Sequence, residues 1–126
     1  MWEYYNPNPI SVRVGDCAVR ALCKALGRTW ESVYAELMLL GFQMCDMPSS
    51  NSVWGAMLRK CGFYRKMPEV DYPERYTAAD FMKEHPTGTY VLAFYEHVAT
   101  VVDGVLYDTW DSSGEIPLFY WYRKDE

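Results

Sequence analysis

Three residues able to perform nucleophilic catalysis stand where folding could bring them together: Cys17, His97 and Asp108. Cys17 lies in Gly15-Asp16-Cys17-Ala18-Val19-Arg20-Ala21-Leu22, behind a Gly-Asp pair that can start a helix and ahead of an apolar helical stripe. A sulfur so placed sits among the unpaired N–H groups of a helix N-terminus, where the dipole favours thiolate over thiol. A thiolate nucleophile needs a base, and the chain has only two histidines. One of them, His97, opens a predicted hairpin whose second strand carries Asp108. The chemistry this set performs is acyl transfer: Cys17 attacks an acyl carbon, His97 takes and returns a proton, and Asp108 orients the ring. The N–H of Cys17 can donate to the developing oxyanion. A second donor is expected from the extended segment upstream, with Asn8 and Asn6 the natural candidates and Ser11 a further option.

The hairpin that must position His97 is signalled by Val101-Val102-Asp103-Gly104-Val105-Leu106, because Asp-Gly suits a two-residue type I′ turn. Val102 then faces Val105, Ala99 faces Asp108 and His97 faces Trp110. Alternation puts His97, Ala99, Val101, Leu106, Asp108 and Trp110 on one side of the pair. Asp108 is the diagonal neighbour of His97, at a Cβ separation of roughly 7 Å. The rest of that side is apolar, so it is expected to pack towards the helices and carry His97 to Cys17. A one-residue slip would hand the orienting role to Asp111. His85, just before Pro86, reads as a solvent-exposed partner of a helix C-terminal dipole.

The remaining elements follow from periodicity. The first ten residues, with Pro7 and Pro9, should run extended. Asp16 can cap a helix to about Leu26 that is closed by Gly27. Thr29 can cap a second helix to about Leu40, ended by Gly41, with Trp30, Val33, Tyr34, Leu37 and Leu40 as its stripe. A third helix carries Val53, Trp54, Met57, Leu58 and Cys61 and stops at Gly62. Phe63 to Lys66 reads as a short strand. Thr77-Ala78-Ala79-Asp80 resembles a capping box before a short helix that ends ahead of Pro86. From Gly88 the period becomes that of strands: Thr89–Tyr95, His97–Val102, Val105–Thr109 and Ile116–Arg123. Helices first and antiparallel strands afterwards predict one α+β domain over residues 1–126, a helix cluster packed on a meander.

Composition narrows the function classes. Half of the 126 residues are hydrophobic and 17% are aromatic, enough to bury a core without disulfides or metal. A net charge of −5 with no basic run disfavours nucleic acid. No apolar stretch is long enough to span a bilayer, and the N-terminus lacks a signal-peptide pattern, so a cytoplasmic protein without a membrane partner is expected. Among the four cysteines there is no C-x-x-C, and no metal site or cofactor is expected. Cys23 and Cys61 fall in apolar helical patterns and read as small core residues.

The nucleophile segment Gly15–Leu22 and the strand pair running from His97 to Asp108 resemble the papain-like cysteine peptidase superfamily in its small bacterial and phage-type form. The order agrees: Cys on the first helix, His on a later strand, an acidic or amide residue on the next strand. The resemblance implies a papain-like fold and a Cys17–His97–Asp108 triad acting on a peptide or protein substrate. The superfamily commonly places a Gln some six residues before the Cys as second oxyanion donor, and here that position is Ser11. Cell-wall amidases of the superfamily usually continue Asp-Cys with Ser-Gly, where this chain has Ala18-Val19, so the likeness to them is weaker.

The leading expectation is therefore a thiol hydrolase or acyl transferase for an amide bond. A non-catalytic peptide-binding module of the same fold is the alternative, with Phe119-Tyr120-Trp121-Tyr122 as its recognition surface. A redox-sensing Cys17 would need a resolving thiol, for which Cys23, on another helical face, is poorly placed.

Overall fold

Backbone hydrogen bonding orders the strands into one sheet of six. The computed structural model describes residues 1–10 and 13–123. Its strands are β1 (Trp2–Tyr4), β2 (Phe63–Lys66), β3 (Thr89–Phe94), β4 (His97–Val102), β5 (Val105–Asp108) and β6 (Phe119–Arg123), in the order β1-β5-β4-β3-β6-β2. The helices are α1 (Cys17–Leu26), α2 (Trp30–Met44), α3 (Asn51–Lys60) and α4 (Ala78–Glu84), with a 3-10 turn at Pro73–Arg75. The class is α+β.

The β4–β5 turn forms as its residues require. Asp103 and Gly104 both have positive φ, 49° and 78°, the type I′ signature. Val102 pairs with Val105, and Val101 with Leu106. The extended N-terminus contributes an edge strand that sequence pattern did not single out: β1 pairs in parallel with β5, setting Tyr4 beside Asp108. Tyr5 N–H then donates to the Asp108 carbonyl at 2.9 Å.

Helices cover both faces of the sheet, which corrects the expected arrangement of a single cluster on a meander. One face, with Val91, Ala93, Val98 and Trp121, packs on α1, α2 and α3. The other, with Leu92, Phe94, Ala99, Val101, Leu106 and Tyr120, packs on α4. The apolar side of the hairpin thus turns away from α1, contrary to expectation, and it is Val98 and Thr100 that face the helix. Thr100 Oγ1 donates to the Ala21 carbonyl at 2.6 Å, fastening α1 to β4.

Packing also explains the smaller departures. α2 runs past Gly41 to Met44, and Cys45 (φ 56°) closes it. Gly41 serves instead as a point of close approach: a Cβ there would lie 2.7 Å from the Asp46 carbonyl oxygen. Cys61 caps α3 and is exposed, not core, whereas Cys23 is buried as expected. The Thr77–Asp80 capping box forms with both of its bonds. In the aromatic run at 119–122, Tyr120 and Trp121 are buried in the sheet, while Phe119 and Tyr122 are half-buried.

Candidate active site

α1 begins at Cys17, β4 begins at His97 and β5 ends at Asp108. In an antiparallel pair the start of one strand lies beside the end of the other, so His97 and Asp108 share one end of the sheet. By alternation both belong to the α4 face. They reach Cys17 because they are terminal, at the sheet end where the first turn of α1 lies.

His97 Nε2 lies 2.6 Å from Asp108 Oδ2. The ring also makes a hydrogen bond with the Cys17 thiol, and Val98 N–H donates to the same sulfur. With Nε2 engaged, Nδ1 is the nitrogen left for Cys17. Trp110 packs over the imidazole at 5.0 Å between ring centroids, and Phe94 stacks at 5.9 Å on β3.

Asp108 is 2% exposed, and a carboxylate so buried would cost several kcal/mol if its oxygens lacked donors. Four donors answer it. Oδ2 accepts from His97 and from Ser112 Oγ at 2.7 Å; Oδ1 accepts from Thr109 N–H at 2.7 Å and Arg20 Nη2 at 3.2 Å. Burial pushes its pKa up, but the bonds from His97 and Ser112 outweigh this and hold it below the usual carboxylate range. Asp111 instead accepts from Ser113 N–H at the surface and takes no part.

Arg20 links this carboxylate to a second one, Asp16. Asp16 occupies the N-cap position of α1 but makes no capping bond, in contrast to the expectation that it would cap. Its carboxylate receives Arg20 Nη1, Trp30 Nε1 at 2.9 Å and Asn8 Nδ2 at 3.3 Å. The first turn of α1 therefore carries no side-chain cap bond. Two buried carboxylates thus share one guanidinium. Burial alone would lower the His97 pKa; the bonds to Asp108 and Cys17 overcome it and raise the value to about 9. Burial alone would raise the Cys17 pKa; the bond and charge of His97 overcome it, and the thiol becomes more acidic. Cys23, in the same helix, shows the opposite balance, pushed up to about 11 chiefly by burial.

A cleft of about 600 Å³ opens over Cys17 and His97, with Asn6, Arg13, Thr109 and Trp110 among its walls. Of the expected oxyanion donors, Asn6 lines it. Asn8 does not: it is buried, its amide nitrogen donates to Asp16, and its Oδ1 accepts from Ile10 N–H. Asn8 is thus a structural residue. Ser11 lies outside the described residues. His85 is half-buried, unlike the exposed residue expected; it stacks 3.9 Å from Phe81, and its Nδ1 lies 2.9 Å from the Phe81 carbonyl oxygen.

Pattern reading missed Arg20 and Ser112. A signal for Arg20 existed, since a lone cation among Ala18, Val19, Ala21 and Leu22 must find carboxylates once that helix is buried. Ser112 had none, for it belongs to a loop. Among the described residues, no group of three or more His, Cys, Asp or Glu is placed to hold a metal ion, and no helix is long and apolar enough to cross a membrane. No protein-family model, curated protein sequence or solved structure matches the chain.

Proposed function

We propose that this protein is a cysteine-dependent hydrolase of the papain-like kind. It cleaves a peptide, isopeptide or related amide bond through an acyl-enzyme on Cys17, or passes the acyl group to another acceptor. The observation that carries the reading is the hydrogen-bonded series thiol–imidazole–buried carboxylate, delivered by three separate elements, with the thiol made more acidic and the ring more basic. The order of Cys, His and Asp along the chain accords with it.

In this mechanism the thiolate of Cys17 attacks the carbonyl carbon, and the carbonyl electron pair moves to oxygen. The Cys17 N–H and the Asn6 side-chain amide stabilise that oxyanion. The His97 imidazolium gives its Nδ1 proton to the leaving amine as the C–N bond breaks, leaving a thioester. Water, deprotonated by His97, then attacks the thioester and releases the thiolate. Asp108 stays ionised throughout and keeps the ring in place.

Incubation with p-nitrophenyl acetate tests the reading. A burst of nitrophenol and a transient acetyl adduct on Cys17, seen by mass spectrometry, are expected. Iodoacetamide at pH 6.5 should likewise modify Cys17 roughly 10–100-fold faster than the exposed Cys45 and Cys61, since an ordinary thiol is only about 1% ionised there. Adducts spread evenly over the cysteines would overturn the proposal. Asn6→Ala is expected to lower kcat by about 10²-fold, the typical loss for one oxyanion donor, with KM little changed. An unchanged kcat would remove Asn6 from the site.

A further inference from the structure

Between α3 and the β6–β2 edge of the sheet lies a cavity of about 260 Å³ that shares no lining residue with the cleft over Cys17. Two simple spacings build its walls. Asn51, Gly55 and Arg59 recur every four residues and so form one stripe of α3. Opposite them, Arg65 of β2 pairs directly with Trp121 of β6, and Phe119 lies two residues earlier on the same side. Gly55 sets the depth, since a Cβ there would meet Trp121 Cζ2 at 2.9 Å and Cε2 at 3.6 Å. The indole edge that carries Nε1 thus abuts the helix wall of the cavity.

Donors line this cavity, and no carboxylate does among the described residues. Arg59 lies 5.1 Å over the Trp121 ring and Arg65 4.1 Å over the Phe119 ring. Although the chain has 17 acidic and 12 basic side chains, neither guanidinium makes an ion pair among the described residues. Asn51 and Ser52 stand in the first turn of α3, whose dipole adds positive potential. Asn51 Oδ1 is taken by Trp54 Nε1 at 3.1 Å, so its amide N–H groups remain to donate. Trp121 is 3% exposed, and its Nε1 is buried with no hydrogen-bond partner among the described residues. A buried donor left so is costly, and a ligand oxygen would answer it.

We propose that this cavity binds a phosphate group, as the free ion or as a monoester, at a site separate from the candidate catalytic one. Two cations set among neutral groups match a doubly charged anion better than a singly charged one. A phosphate monoester carries roughly −1.5 to −2 charges at pH 7 and offers three acceptor oxygens. Guanidiniums grip such oxygens with a planar fork. The site stands whether or not Cys17 is a nucleophile.

Proton–nitrogen correlation spectra of the indole groups, recorded as inorganic phosphate or phenyl phosphate is added, test this. The Trp121 Nε1–H resonance, assigned through its backbone connections, should shift and saturate. Saturation by inorganic phosphate identifies the ligand as the free ion; saturation by phenyl phosphate alone identifies it as a monoester. Arg59→Gln and Arg65→Gln, both at exposed positions, should each raise the midpoint roughly tenfold or more, the worth of a hydrogen bond to a charged group. Lys60→Gln removes a neighbouring charge that does not line the cavity and should leave the midpoint largely unchanged. A Trp121 resonance that stays put would overturn the site. So would an equal response to sodium acetate at the same ionic strength, or midpoints unmoved in both arginine variants. None of these results would touch the assignment of Cys17, which rests on its own labelling.

Discussion

Replacing His97 with alanine is expected to lower turnover of an activated amide or ester by a factor on the order of 10²–10⁴. The loss has two sources: no base remains for the attacking water, and no cation remains to favour the thiolate. The pH profile separates them. In the parent, kcat/KM should be bell-shaped, with an acid limb below the ordinary thiol range and an alkaline limb near 9, where the imidazolium loses its proton. In His97→Ala the alkaline limb should vanish and the acid limb move up towards that of a free cysteine. A variant that kept the parent's bell would refute the assignment of His97. The same shifts tie stability to pH. His97 titrates above its unfolded value of about 6.5, so its contribution is complete below that pH and is lost as pH rises through about 9. Asp108 titrates below its unfolded value of about 3.9, so its contribution is complete above that pH and is lost as pH falls through the lowered value. Denaturant midpoints measured from pH 3 to 10 should trace that plateau.

Arg20→Met is the substitution with the largest expected effect on folding. Methionine fills a similar volume but leaves Asp16 and Asp108 buried, close together and without their shared cation. Breaking a buried pair by removing one partner costs about 3–5 kcal/mol, and here one cation serves two anions. Urea denaturation should show a loss in that range. The loss should shrink as pH is lowered far enough to protonate Asp108. Arg20→Lys should recover little, because an ammonium cannot span two carboxylates as the planar fork does. A cost under about 1 kcal/mol in Arg20→Met would mean that the pair is screened by solvent and that Arg20 does not organise the site.

Local chemistry makes part of this molecule readable from its sequence. Asp103-Gly104 specified its turn, and that turn set the register placing Asp108 near His97, because both depend on a few adjacent φ angles and a period of two. Gly27 and the Thr77–Asp80 box worked for the same reason. What failed was decided at long range. Gly41 looks like a helix end, yet the loop at 46–48 that folds against it makes it an interior contact. The direction in which the hairpin's apolar face turns depends on where α4 docks, and seven residues of helix give no sign of that. Asn8 and Asn6 are indistinguishable as residue types. Only the position of Asp16 takes one of them out of the cleft.

Asp16 also has a consequence for how this chain can change. Arg20, Trp30 and Asn8 converge on its two oxygens from the opening helix, the second helix and the N-terminal segment. Residues that share one acceptor do not respond independently to substitution. Sequence drift at any of the three positions should therefore show epistasis with the other two. A homologue that lost the acid at 16 would be expected to have replaced the cation and the indole in the same lineage.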